Sequence, residues 1–130
     1  MAELIFTLPD GPCAPISGND IPSHPMERTR VKNAFKDPTQ LILQSQFNSQ
    51  NMKALKPPVE LYILYMFKDK PGSGRDRDNY TAGSTKWLID VLKGFAWKGD
   101  DNTTDLDLRP VELIENTGET RTIIRVKEKR

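Results

Sequence analysis

The sequence has few residues for disulfide or soft-metal chemistry. Cys13 is the only cysteine and His24 the only histidine among its 130 residues. One thiol cannot form an intrachain disulfide, and no cysteine-based zinc site can be built, so a bound metal would have to be held by oxygen atoms. The scarcity of cysteine also suits a reducing compartment.

Long apolar runs are lacking as well. No run approaches the roughly 18 residues that span a bilayer, and Met1 to Leu8 has neither the basic flank nor the long apolar stretch of a secretory signal. We therefore expect a cytoplasmic protein with no membrane partner. A nucleotide cofactor is not expected either, because Gly72-Ser73-Gly74 lacks the third glycine of a dinucleotide fingerprint, Arg77 stands in its place, and no phosphate-binding P-loop sequence occurs.

A strong overall charge is also missing, since 19 Lys and Arg balance 18 Asp and Glu to a net charge of +1. Such a chain has no global field that attracts nucleic acid. The length suits one domain, residues 1–130. The basic residues are nevertheless clustered, with Arg28, Arg30 and Lys32 in one segment and Arg125 and Lys127 in another, and such runs are most often solvated faces.

The first half of the chain predicts strand, loop, helix and strand. Glu3 to Leu8 favours a strand, and the proline-containing segment from Asp10 to Pro25 favours a surface loop. Asp37 followed by Pro38 predicts the start of a helix that runs to about Lys53. Val59 to Phe67 is almost continuously apolar, which indicates the central strand of a sheet.

The second half predicts an amphipathic helix around Trp87 to Phe95, then a hairpin of Leu106 to Ile114 with Thr120 to Val126. Pro110 indicates an edge strand or a bulge in that hairpin. The predicted order β-α-β-α-β-β gives an α/β (α+β) fold with a small mixed sheet and two main helices.

An acidic motif follows the central strand at Arg75 to Asn79, where the sequence is R-D-R-D-N. In an extended segment Asp76 and Asp78 point to the same side, so their carboxylates can meet at one point. A divalent cation would offset their repulsion, and Mg²⁺ prefers few carboxylates together with water and substrate phosphate. The alternative is structural: Asp76, Asp78 and Asn79 can simply cap the following helix.

Three segments together resemble the signature of the RusA family of Holliday-junction resolvases. They are R-D-R-D-N at Arg75 to Asn79, K-W-L-I-D-V-L at Lys86 to Leu92, and W-K-G-D-D at Trp97 to Asp101. The family pattern is D-x-D-N, a lysine, a helical D-x-L segment, and an aromatic residue shortly before D-D. This chain departs from it by extra residues before Lys86 and by the inserted Gly99.

The resemblance implies a RusA-like fold and a Mg²⁺-dependent endonuclease, with Mn²⁺ as the alternative ion. Asp76, Asp78 and Asp101 would bind the metal and act in catalysis with Lys86, while Asp100 and Asn79 would support the site. It also implies a homodimer that makes paired symmetric nicks in a four-way DNA junction, in a bacterial or phage-infected cell. Seven basic residues would then contact the DNA: Arg28, Arg30, Lys32, Arg75, Arg77, Arg125 and Lys127.

The extra residues leave two alternatives for Lys86. Either one helix continues through them and turns Lys86 by about 40°, or the helix begins at Ser84 or Thr85 and Lys86 lies in its first turn. Two other functions also stay open. The chain could be a metal-dependent nuclease for other branched DNA, or a non-catalytic DNA-binding or interaction protein whose aspartates only cap helices.

Overall fold

The computed structural model describes residues 2–51, 53–72 and 74–129. Five strands and three helices follow one another in these residues. They are β1 (Glu3–Leu8), α1 (Pro25–Ser49), β2 (Val59–Met66), α2 (Arg77–Thr81), α3 (Ser84–Leu92), β3 (Leu106–Leu108), β4 (Glu112–Ile114) and β5 (Arg121–Glu128). This confirms the predicted fold class, a small mixed sheet with two main helices.

The sheet has the order β1-β5-β2, and β3 and β4 both pair with the far side of β2. β5 is antiparallel to both of its neighbours, whereas β3 and β4 are parallel to β2. Every second residue of β1 and β2 is buried, as is every second residue of β5 from Thr122 to Val126. The apolar side chains among them form one core with side chains of α1 and α3. The prediction that Val59 to Phe67 provides the central strand is confirmed.

The predicted start of the first helix at Asp37 is wrong, because α1 begins twelve residues earlier, at Pro25. The His24 ring accepts a hydrogen bond from the Met26 N–H at 3.3 Å, so a cap and a proline at the first helical position begin the helix there. Pro38 then lies inside the helix at the cost of one backbone hydrogen bond. Burial of Phe35 against Trp87, with ring centroids 5.8 Å apart, holds the earlier turns in place.

The end of α1 also differs from the prediction. The helix stops at Ser49, and Asn51 follows with a φ of 52°. Asparagine tolerates this left-handed conformation, which ends helices, so the helix does not reach Lys53.

The second helix is in two pieces, α2 and α3, which are separated at Gly83. A Cβ at Gly83 would overlap the Ile16 carbonyl oxygen and lie 2.8 Å from the Gly18 nitrogen. The backbone of the Asp10 to Pro25 segment passes this close because Ser84 binds it twice, through its N–H to the Ile16 oxygen (2.9 Å) and through its hydroxyl to the Ile16 N–H (3.0 Å). α3 therefore begins at Ser84, which is the second of the two alternatives.

The predicted C-terminal hairpin is wrong. β4 and β5 lie on opposite sides of β2, so β5 pairs with β1 and β2 instead of with its predecessor. The connection crosses the end of β2, where the Thr117 N–H and hydroxyl both donate to the Phe67 carbonyl at 3.0 and 2.9 Å. Pro110 lies between the short edge strands β3 and β4, as expected for a proline at a sheet edge.

In the described part of the chain, no helix combines the length and the apolar character that a membrane crossing requires.

Candidate functional site

Asp76 and Asp78 lie just beyond the C-terminal end of β2, where α2 begins. Asp76 is the N-cap residue of α2, and its Oδ1 accepts a hydrogen bond from the Asp78 N–H at 3.0 Å. The capping alternative is therefore correct for Asp76. The Asp78 carboxylate is exposed and has no hydrogen-bond or ion-pair partner among the residues that the structure describes. One oxygen of Asp76 and both oxygens of Asp78 remain able to bind a ligand.

Two open clefts meet at Asp76. The first, here called the Asn79 cleft, has a volume of about 700 Å³ and is lined by Ser17, Asn19, Asp20, Asp76, Arg77 and Asn79, among others. The second, here called the Asp78 cleft, has a volume of about 530 Å³ and is lined by Asp76, Arg77, Asp78, Glu112 and Glu115, among others. The carboxylates of Asp76 and Asp78 thus share the open, strongly polar Asp78 cleft. Asn79, which was predicted to support them, lines the neighbouring Asn79 cleft.

The two arginines of the motif differ in their surroundings. Arg75 is held within the protein, because its guanidinium donates to Glu115 at 2.9 Å and to Asp69 at 3.1 Å and lies 4.0 Å from the ring centroid of Phe67. Arg77 is exposed and lines both clefts. Of the two, Arg77 has the guanidinium that is open to an incoming anion.

Asp100 and Asp101 surround the ammonium of Lys93. The Lys93 Nζ lies 3.3 Å from Asp101, 3.5 Å from Asp100 and 3.7 Å from Asp90. The hydrogen bond to Asp101 raises the pKa of Lys93. The pKa of Asp100 is lowered, chiefly by the hydrogen bond that the Asp101 N–H donates to its carboxylate.

These two aspartates are not among the side chains that line the Asn79 cleft or the Asp78 cleft. Within residues 2–51, 53–72 and 74–129, no group of three or more His, Cys, Asp or Glu side chains is arranged to hold a metal ion. The structure brings Asp76 and Asp78 together and leaves Asp101 with Lys93. A metal-binding role for Asp101 stays a prediction.

The pair Asp76 and Asp78 does fit one class of ion on the chemistry of its donors. Carboxylate oxygens are hard ligands, and the open cleft beside them leaves room for water and a phosphate. Mg²⁺ is commonly bound by one or two carboxylates together with waters and substrate oxygens. The pair offers this minimal donor set, whereas Ca²⁺ takes six to eight oxygen ligands.

Lys86 lies in the first turn of α3, as the second alternative predicted, and it is exposed. It lines a third cleft, of about 350 Å³, together with Arg28 and Trp87. Neither the Asn79 cleft nor the Asp78 cleft has Lys86 among its lining residues. The predicted essential lysine is thus grouped with a predicted phosphate-binding arginine instead of with the aspartates.

The remaining predicted DNA contacts fall on two separate surfaces. Arg30 and Lys32 lie on α1. Arg125 and Lys127 lie on β5, where Arg125 donates to Glu3 at 2.6 Å and the Lys127 ammonium is 5.5 Å from the ring centroid of Tyr62. Arg125 is therefore partly neutralised, whereas Arg30 has no ion-pair partner among the described residues.

Several polar residues near the aspartates escaped the sequence reasoning. Asn19 and Asp20 reach the Asn79 cleft because Ser17 accepts a hydrogen bond from the Asn19 N–H and caps a short 3-10 turn at Gly18–Asp20. The signal was the S-x-N-D capping pattern inside a segment interpreted only as a loop. Glu112 reaches the Asp78 cleft because β4 pairs with the C-terminal half of β2, and no sequence signal for that pairing was recognised.

Comparison with known proteins adds no assignment, because neither a protein-family model nor a curated protein matches this sequence.

Proposed function

We propose that this chain is a divalent-metal-dependent endonuclease that cuts branched DNA, with the four-way junction as its substrate. One observation carries the proposal. Asp78 presents an unpaired, exposed carboxylate beside Asp76 in an open cleft at the end of the central strand, within a D-x-D-N sequence that resembles the RusA signature. Because this carboxylate is exposed and makes no contact that the fold requires among the described residues, both of its oxygens are available to a ligand.

Asp76 and Asp78 would hold Mg²⁺, or Mn²⁺ in its place. When bound, such an ion lowers the pKa of a coordinated water and offsets negative charge on a phosphate. Asp78 would contribute the full charge of its carboxylate, and Asp76 would contribute the oxygen that does not cap α2. Asp101 is the predicted third ligand, and to act as one it would have to leave the Lys93 ammonium, 3.3 Å away.

The charge around the two aspartates would position the DNA. Arg77 lines both clefts and can contact a phosphate that approaches the carboxylates. Arg30 and Lys32 on α1 would hold neighbouring phosphates, so binding should weaken as salt rises. Asn79 would support Asp76 and Asp78 through the backbone of α2. Asp100 would support Asp101 through the ion pairs that both make with Lys93.

Resolution of a four-way junction needs two symmetric nicks, and a twofold homodimer with one site in each subunit would supply them. Such an enzyme would act where cellular DNA is recombined, in the cytoplasm of a bacterium or of a phage-infected cell. These features rest on the resemblance of the motifs.

A second function is favoured by a specific observation. Asp76 caps α2, and Lys93 neutralises Asp100 and Asp101. Both contacts are what a non-catalytic DNA-binding protein would show if its aspartates served only to stabilise helix ends and loops.

The test is cleavage of a labelled four-way junction and a linear duplex of the same sequence, with Mg²⁺, with Mn²⁺ and with chelator. We compare the wild type with Asp78→Asn and with the control Asp37→Asn, an exposed aspartate of α1. We expect metal-dependent nicks in the junction, a loss of roughly a hundredfold or more in Asp78→Asn, and none in Asp37→Asn. Binding without cleavage in either metal would support the second function, and cleavage of other branched DNA in preference to junctions would change the substrate.

A further inference from the structure

The third cleft, here called the Lys86 pocket, joins three segments of the chain. It lies between the first turn of α1, the segment from Gly18 to Ser23, and the first turn of α3. Arg28 comes from the first of these helices and Lys86 from the second. Two cationic side chains from separate elements therefore line one pocket of about 350 Å³.

The positive charge of this pocket is not balanced by the residues around it. No Asp or Glu is among its lining residues in the described part of the chain. Lys86 has no ion pair there, whereas Lys36, Lys93 and Lys129 each lie within 4.0 Å of a carboxylate. Two like charges that line one pocket repel each other, and a bound anion would offset that repulsion.

Arg28 is also held in a fixed orientation. Its Nη2 donates to the Ser23 carbonyl at 2.9 Å and its Nε to the Pro22 carbonyl at 3.4 Å. The remaining guanidinium N–H groups have no partner in the protein among the described residues. An arginine that is oriented before the ligand arrives loses less entropy on binding.

The start of α3 adds to the positive electrostatic potential of the Lys86 pocket. Its N-cap residue is Gly83, which has no side chain to cap the helix, and its first turn contains no acidic residue. Both Gly83 and Lys86 line the pocket, so the positive end of the α3 dipole is next to it. The Ser84 N–H is already bonded to the Ile16 carbonyl at 2.9 Å, so the helix start contributes its dipole, and the guanidinium and the ammonium are the groups that would contact an oxyanion such as phosphate.

We infer that the Lys86 pocket binds a phosphate group of the DNA backbone at a position separate from the scissile phosphate. The 3-10 turn Gly18–Asp20 lies between this pocket and the Asn79 cleft, because Gly18 lines the former while Asn19 and Asp20 line the latter. Lys86 and Arg28 are then binding residues and do not touch the reacting atoms. The inference rests on the proposed function only for the source of the phosphate.

The test measures binding of a four-way junction and a linear duplex in Mg²⁺-free buffer at several salt concentrations. The variants are Lys86→Gln, Arg28→Gln, the double variant, and the control Lys53→Gln, an exposed lysine outside the pocket. We expect each pocket variant to bind DNA roughly tenfold more weakly and to lower the slope of log affinity against log salt by about one. The double variant should lose less than the product of the single losses, because both side chains contact the same phosphate.

A second arm separates the sources of phosphate. Titration of the wild type with inorganic phosphate, with chloride at equal ionic strength as reference, should shift the amide NMR signals of Gly83 and Lys86, and these shifts should be absent in Lys86→Gln. Phosphate shifts without any change in DNA affinity would assign the pocket to a small phosphorylated ligand and overturn the DNA source. Equal DNA binding by all variants and no phosphate shift would overturn the pocket itself.

Turnover under saturating DNA distinguishes this inference from the proposed function. If Lys86→Gln needs roughly tenfold more DNA for half-maximal cleavage and its loss lies in this concentration dependence instead of in the maximal rate, the binding role holds. If Lys86→Gln binds normally but its turnover is lost, Lys86 acts at the scissile phosphate and the inference is wrong while the nuclease proposal stands. If the wild type binds through the pocket but never cleaves, the nuclease proposal fails and the pocket stands.

Discussion

Removing the hydroxyl of Tyr65 on β2 tests the contacts that hold α2 and α3 against the central strand. Tyr65 is 0 % exposed, and its Oη lies 2.6 Å from the Thr85 hydroxyl and 3.4 Å from the Ser84 hydroxyl. Thr85 donates onward to the Tyr80 carbonyl at 2.9 Å. This hydrogen-bonded cluster joins the central strand to α2 and α3, which position Asp78 and Lys86.

The effect of Tyr65→Phe can be estimated from these contacts. Below about pH 10 the variant loses the hydrogen bond to Thr85 and should be less stable by about 1 kcal/mol. Burial raises the pKa of Tyr65 from 10.0 to about 12. The folded protein therefore resists ionisation of this phenol, and the wild type loses stability as pH rises from 10 towards 12, by about 1 kcal/mol at about pH 11 and about 2 kcal/mol at about pH 12.

The lost hydrogen bond and the ionisation of the phenol thus change the stability difference between the wild type and Tyr65→Phe in opposite directions. The free energy of unfolding should favour the wild type at neutral pH, be nearly equal near pH 11, and favour Tyr65→Phe above it. Urea unfolding of both proteins across this range measures the difference, in which the titration of other groups largely cancels. A difference that stays constant between about pH 9 and pH 12 would contradict the burial of the hydroxyl and the bond that it makes.

Three further comparisons test the surroundings of the site. Gly83→Ala should destabilise the protein by about 3 kcal/mol, because the new Cβ would overlap the Ile16 carbonyl. The control Gly72→Ala, whose Cβ would meet nothing within 4 Å, should be close to neutral. Equal stabilities of the two variants in urea unfolding would contradict the close approach at the α2–α3 junction. Arg75→Lys should cost about 1–2 kcal/mol through loss of the paired contacts to Glu115 and Asp69, and thermal unfolding at wild-type stability would show that these contacts do not form in solution. Asp76→Ala should cost about 1 kcal/mol by removing the cap of α2, while Asp76→Asn should retain most of it; calorimetric melting with equal losses in both variants would argue against the cap.

The parts of the fold that could be predicted are those encoded by local pattern. The short apolar run of β1 and the longer one of β2 placed both strands close to their observed bounds. The start of α1 could not be obtained this way. Asp37-Pro38 is a better start signal than His24-Pro25 by sequence alone, and it is packing of Phe35 on Trp87 that holds the turns before Pro38.

The sheet order depends on pairing between distant residues, which no local pattern encodes. A glycine-containing link between two apolar runs predicts a hairpin, yet β5 inserts between β1 and β2. In that position Ile124 and Val126 are fully buried and β5 has two neighbours. Burial on the covered face of the sheet therefore outweighs the shorter loop closure of a hairpin.

The candidate site, like the fold, could be predicted only where a local pattern encodes it. Asp76 and Asp78 do line one cleft, but the extended segment from which this was predicted is wrong, because Asp76 is the N-cap residue of α2 and Asp78 lies within that helix. The environment of Asp101 could not be read in advance, because it depends on the end of α3 and on the Trp97 indole, which donates to the Asp100 carbonyl at 2.9 Å. The grouping of Lys86 with Arg28 likewise required the position of α1 relative to α3.

The most direct test of the central claim is to locate a bound metal ion with paramagnetic Mn²⁺. Small additions of Mn²⁺ to the protein broaden the amide NMR signals nearest to the ion. We predict that the signals of Asp76, Asp78 and Asn79 broaden first, that Mg²⁺ reverses the effect, and that Asp78→Asn abolishes it. Broadening that begins at Asp100 and Asp101 instead, or that is unchanged in Asp78→Asn, would contradict the assignment of the Asp76 and Asp78 carboxylates as a metal site.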